Sequence, residues 1–319
     1  MKHHPRSPSI PAVGLVAATL LGLTLAWGQE RPAAGSRPAN LAGKAAPTRD
    51  VPYAATTNPA QRLDIYLPKN APGPLPVIVW VHGGAWSSGS KFPCPAGNFV
   101  NRGYAVVSVE YRFAQEAIFP AQIQDCKAAI RFLRANHEKY GLDPDRIGAW
   151  GSSAGGHLVA LLGTAGDSKE LEGDGPNKEF SSRVQCVVDF YGPTDMLQIS
   201  NLPSRIQHAT VNSPEARLLG GLIEQRKDLA RAANPIIYIT KDAPPFLIMH
   251  GDKDDLVPFN QSELLEAALK QAGTEVTLYK VVGGGHGGWR EPKVQPMVEE
   301  FFDKHLKNTS TSRPVDRSE

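Results

Sequence analysis

The chain has 319 residues, enough for one large globular domain or two small ones, with a core able to bury a full sheet. Hydrophobic residues make up 41% and charged residues 21%, which is ordinary for a soluble enzyme. A formal net charge of +2 gives no electrostatic reason to expect nucleic acid or an anionic surface as partner.

In chain order, Lys2 and Arg6 precede an apolar run from about Ile10 to Trp27, and Ala26 and Gly28 place small residues before Gln29. This pattern predicts a signal peptide over residues 1–28, cut near Gly28, and a secreted or periplasmic mature chain. An uncleaved membrane anchor is the alternative, but the run is short for a span and is interrupted by Gly14, Thr19, Gly22 and Thr24. Cleavage removes Lys2 and Arg6 and no acid, so 32 basic residues face 32 acidic ones. Residues 29–52 are rich in Ala, Pro, Gly and charge and are expected to form a flexible linker, and the tail 308–319 is expected to be disordered.

Between these ends, strand and helix patterns alternate over a domain set at 53–307. Strands are expected at 61–68, 75–81, 104–112, 145–151, 183–192, 244–252 and 275–284. A short helix is expected to end at Gly103. Longer ones are expected over 120–141, 157–166, 260–273 and 292–307. This alternation predicts an α/β fold, a mostly parallel sheet flanked by helices, with its site beyond the carboxyl ends of the strands. Residues 195–243 break the rhythm and read as a cap-like insertion. Cys94, Cys126 and Cys186 allow at most one disulfide. No C-x-x-C or H-x-x-x-H spacing is present, so no metal site is expected.

"GSSAG" (151–155) fits G-x-S-x-G between an apolar strand and a helix, with Ser153 at the centre. A sharp turn there projects Ser153 above the sheet at the positive end of the following helix, which makes it a candidate nucleophile. Ser152 occupies the x position and reads as a spacer. The bland alternative for the stretch is a turn without chemistry. A serine needs a base. In such sheets the partners follow in the order Ser, acid, His, which leaves His157, His208, His250, His286 and His305 of the nine histidines. His286, in the "GGGHGG" loop after the last strand, is the candidate base. His157 opens a helix, His250 lies within a strand, and His305 sits on the last helix. The acid is left open by spacing: Asp252, Asp254 and Asp255 share one loop, with Asp195 an outside candidate. Backbone N–H groups of Ala154 and of Gly83 or Gly84 in "HGGAW" (82–86) are candidate oxyanion donors. Trp86 and Trp289 flank these loops and are candidates for a sugar or aryl platform, with buried packing as the alternative.

With these residues in view, the chain resembles the α/β-hydrolases over about residues 60–305. Within them it is similar to the hormone-sensitive-lipase-like and feruloyl/acetyl-xylan esterase-like branch. The resemblance rests on "WVHGGAWSSGSK", "GAWGSSAGGHLVALLG", "DFYGPTD", "LIMHGDKDDLVP" and "GGGHGG". Its H-G-x-x-D-x-x-V-P pattern maps onto His250, Gly251, Asp254, Val257 and Pro258, and so implies Asp254 as the acid beside Ser153 and His286. "EYRFAQEAIFP" stands where lipase-like members carry D-Y-R-L-A-P-E, which points toward the polysaccharide-ester side. The resemblance implies a secreted serine carboxylesterase without cofactor, acting on acetyl or feruloyl esters of plant polysaccharides. After signal cleavage no membrane association is expected. The rivals are a general short-chain esterase or lipase and a non-catalytic binding protein on the same fold.

Overall fold

A computed structural model describes residue 1 and residues 46–307 except 70, 72 and 167. The chain divides into two units, residues 1–41 and 42–319. The expected signal peptide, apart from Met1, and the expected tail lie outside the described residues.

The second unit is built on eight strands. They are β1 (Thr48–Pro52), β2 (Arg62–Tyr66), β3 (Leu75–Val81), β4 (Ala105–Val109), β5 (Leu142–Ser152), β6 (Cys186–Phe190), β7 (Phe246–Gly251) and β8 (Val276–Val281). Their order across the sheet is β1-β2-β4-β3-β5-β6-β7-β8. β1 and β2 pair antiparallel, as do β2 and β4, and every pair from β4 to β8 is parallel. The helices are α1 (Ala121–Ala135), α2 (His137–Tyr140), α3 (Ala154–Thr164), α4 (Pro214–Leu219), α5 (Lys227–Ala232), α6 (Asn260–Gln271) and α7 (Val294–Phe302).

Strand alternation builds two cores. Val77, Val79 and Val81 of β3 face the layer that holds Ile123, Leu158 and Leu265 of α1, α3 and α6. Ile78 and Trp80 face the opposite layer, with Phe99, Tyr104, Trp150 and Phe302. Both faces are covered, so β3 is buried at every position and reads as a continuous apolar run.

Four expectations differ from the structure. The segment 29–52 ends in a strand, β1, not in linker: Asp50 N–H donates to Asp64 Oδ1 at 2.9 Å and Arg49 Nη1 lies 3.2 Å from Asp64 Oδ2. Composition shows no such pairing, because the partner edge lies on β2. The helix expected over 120–141 breaks at Asn136, and Gly141 closes α2 at φ 64°. The helix after the serine starts at Ala154, ahead of the glycines, because packing outweighs their poor helix propensity. The last helix ends at Phe302 and continues as a wider turn over Asp303–Lys307.

The insertion holds α4, α5 and short 3-10 turns, and two buried histidines fasten it down. His157 of α3 donates Nε2–H to Ala233 O at 2.6 Å, and His208 Nε2 lies 3.1 Å from Leu256 O. The three cysteines are unpaired. Among the described residues, no helix is long and apolar enough to cross a membrane.

Candidate active site

The site forms where β3, β5, β6, β7 and β8 end. Ser153 follows the last residue of β5 and sits at φ 55° and ψ −121°, a strained conformation for a residue with a Cβ. The turn is held from both sides: Ser153 N–H donates to Phe190 O at 2.8 Å, and Ser153 O accepts from His157 N–H at 3.0 Å. Close approach explains the glycine at 155. A Cβ there would lie 2.1 Å from Val81 O, so only glycine lets α3 start against β3.

His286, in the loop after β8, brings Nε2 to 2.9 Å from Ser153 Oγ. Its Nδ1 lies 2.6 Å from Asp254 Oδ2, in the loop after β7. Asp254 Oδ1 accepts Leu256 N–H at 2.8 Å and Val257 N–H at 2.9 Å. Burial alone would raise the Asp254 carboxyl, but hydrogen bonds from His250 and His286 hold it well below its ordinary value. An ionised Asp254 accepts a hydrogen bond from Nδ1–H of His286, which fixes the proton there and leaves Nε2 free to accept from Ser153.

The rival candidates fill other places. Asp252 accepts Gly283 N–H at 2.7 Å, Asp255 pairs with Arg205 at 3.5 Å, and Asp195 accepts from Leu197 N–H at 2.9 Å. His157 and His208 are buried in the insertion contacts described above, and His305 lies 3.4 Å from Glu275. Burial pushes the His157 imidazole down from 6.5 to about 4.

The "HGGAW" loop lies directly against the serine. A Cβ on Gly83 would sit 2.7 Å from Ser152 O and 3.2 Å from Ser153 Cβ. Gly84, Ala85 and Trp86 follow at φ 115°, 55° and 53°, so the loop turns back sharply on itself. None of the described residues accepts a hydrogen bond from the N–H of Gly83 or Gly84. Ala154 opens α3, where helical amides have no partner of their own. His82 is structural: its ring stacks on Tyr111 at 4.5 Å between centroids, and Nε2 lies 3.3 Å from Glu110.

The two tryptophans part company. Trp86 is buried and meets His157 edge-on at 5.3 Å, so it is core packing and not a platform. Its left-handed backbone turns the ring inward, which the sequence does not disclose. Trp289 is half-buried. It donates Nε1–H to Gly285 O at 2.7 Å and packs on Phe190 and Tyr191 at 5.7 and 5.1 Å.

One site residue was not singled out from sequence. Tyr191, at φ 44°, sets its ring 4.5 Å from the His286 ring, with its hydroxyl beside Ser152. Its signal was its place in "DFYG" immediately after a strand end. His250, set aside in the sequence as a strand residue, also reaches the site, with Nε2 3.1 Å from Asp254 Oδ2.

A mostly parallel sheet of this order, with a serine turn after β5 and the acid and histidine loops after β7 and β8, defines an α/β-hydrolase. The family model BD-FAE matches residues 63–269, and the chain belongs to that family. It is similar to Esterase LipC of Mycobacterium tuberculosis, at 34% identity over 235 residues, covering 72% of this chain and 57% of that protein. The chain thus spans little more than half the length of that relative. Among solved structures it is similar to a truncated carbohydrate esterase from gut microbiota, with 35% identity, TM-score 0.77, and coverage of 83% of this chain and 97% of that one. It is also similar to the acetyl ester-xyloside bifunctional hydrolase of Caldicellulosiruptor lactoaceticus, with 26% identity, TM-score 0.67, and coverage of 81% and 96%.

Proposed function

We propose that the chain is a serine carboxylic-ester hydrolase, exported by way of residues 1–28, that removes acetyl or feruloyl groups from plant polysaccharides. The observation that carries the hydrolase reading is the unbroken line from Ser153 Oγ through His286 to Asp254, at 2.9 and 2.6 Å. The polysaccharide part draws on the carbohydrate esterases among the similar structures.

In this reading Ser153 Oγ attacks the ester carbonyl carbon while its proton passes to His286 Nε2. Asp254 stabilises the imidazolium. The N–H groups of Ala154 and of Gly83 or Gly84 receive the oxyanion, and as it collapses the alcohol leaves with the proton from His286. Water, deprotonated by the same Nε2, then attacks the acyl-enzyme, and the carboxylic acid departs as Ser153 regains its proton. The residues present supply every proton transfer.

A second reading, a short-chain esterase without polysaccharide preference, is favoured by the burial of Trp86, which leaves Trp289 as the one aromatic ring of the pair beside the site. The deciding experiment measures acetate and ferulate release from acetylated xylan, methyl ferulate and p-nitrophenyl esters side by side. Turnover of p-nitrophenyl butyrate with no release from xylan would select the second reading. No turnover of any ester would reject both.

A further inference from the structure

Asp254 has one more partner than a Ser-His-Asp line requires. His250, wholly buried on β7, places Nε2 at 3.1 Å from Asp254 Oδ2, the same oxygen that faces His286. That nitrogen also lies 3.0 Å from Val257 O. Both neighbours are acceptors, so Nε2 carries a proton. Nδ1 lies 2.7 Å from Ser262 Oγ on α6, and the hydroxyl can donate to it. A neutral ring in one tautomer therefore satisfies both nitrogens.

We propose that His250 is a positioning residue for the hydrolysis: its Nε2–H occupies one lone pair of Asp254 Oδ2, so that the other is aimed at His286 Nδ1. Ser262 selects the tautomer that makes this possible. The physical need is a second anchor. The two backbone amides hold only Oδ1, and among the described residues Oδ2 without His250 would be held by His286 alone, the ring it has to orient. His250 supplies that anchor, on the same oxygen that meets His286. This rests on the hydrolase reading given above.

The test compares His250→Asn, His250→Gln and Ser262→Ala. An asparagine amide reaches the Nδ1 position facing Ser262 but not Asp254, whereas a glutamine amide nitrogen reaches the Nε2 position. Losing a hydrogen bond to a charged group predicts a fall in kcat of about ten- to a hundredfold in His250→Asn, with KM near wild type. His250→Gln should recover most of kcat, and Ser262→Ala should fall between. Rates of Ser153 labelling by a fluorophosphonate, followed by mass spectrometry, should rank the same way, and melting curves check that each variant is folded at the assay temperature. A purely packing role predicts that folded Asn and Gln variants lose activity equally, or not at all, and either result overturns the proposal. If His250→Asn does not fold, Ser262→Ala decides: wild-type labelling in that variant overturns the tautomer role. Wild-type protein that resists labelling would instead reject the hydrolase reading itself.

Discussion

Ser153 holds a conformation that a residue with a Cβ reaches at a cost of about 1–3 kcal/mol, and its neighbours keep it there. Replacing it by alanine should leave the fold and melting temperature near wild type and remove ester turnover. Equal turnover of p-nitrophenyl acetate by the two proteins would refute its role as nucleophile. Gly83 is a sharper probe of the oxyanion loop. Its added Cβ would press on the backbone of Ser152, so the loop must move from the serine. Gly83→Ala should lower kcat/KM by about a hundredfold or more, the scale of a lost oxyanion donor, in a protein that still melts cooperatively. Asp254→Asn should lower kcat by about 10⁴-fold, because an amide at Oδ2 disfavours the Nδ1–H tautomer of His286. A drop of less than tenfold would return the acid's role to Asp252 or Asp255.

At the scale of elements, the insertion acts as a clamp on the acid loop. Arg205 N–H donates to Asp255 O at 2.6 Å, Ser204 Oγ to Leu256 O at 3.0 Å, and His208 Nε2 meets the same carbonyl. The amide of Leu256, on its other side, is one of the two that hold Asp254. His208 also lies 3.0 Å from Glu215, and both side chains are buried. His208→Ala strands Glu215 and removes one of these ties, which should cost about 1–3 kcal/mol. It should also lower kcat and open residues 204–215 to limited proteolysis. Unchanged proteolysis and kcat would show that the insertion merely lies beside the acid loop.

At the scale of the whole molecule, two fully buried groups act on stability in opposite directions of pH. Burial brings His157 down from 6.5 to about 4. The unfolded chain then binds more protons than the folded one between these values, so this contribution is complete above 6.5 and lost as pH falls toward 4. Burial lifts Asp189, on β6, from 3.8 to about 7, against the Gly192 N–H that favours its charge. Its contribution is complete below 3.8 and lost as pH rises toward 7. At about 1.4 kcal/mol per unit, the two are worth about 3 and about 4 kcal/mol and largely cancel. The prediction concerns differences from wild type in denaturant unfolding at a series of pH values. His157→Gln should gain relative to wild type on going from pH 6.5 to 4, and Asp189→Asn should gain from pH 4 to 7. A difference that does not vary with pH would rule out either assignment.

The turn at Ser153, the Gly-rich loops after β3 and β8, and the order serine, acid, histidine were legible in the sequence because each is local: it depends on a few residues and their place after a strand. That the central strands are covered on both faces was legible for the same reason, through continuous apolar runs such as Leu75–Val81. The acid was not legible from spacing, since Asp252, Asp254 and Asp255 share one loop. Only the resemblance chose Asp254, and the structure separates the three by placing Asp254 alone on His286. Tertiary packing also decided that Trp86 turns inward, that β1 joins the sheet, and that His157 and His208 fasten the insertion. These are contacts between segments far apart in the chain, such as His157 and Ala233, separated by 76 positions. Burial and backbone hydrogen bonding across the sheet set such contacts, and no local pattern encodes them.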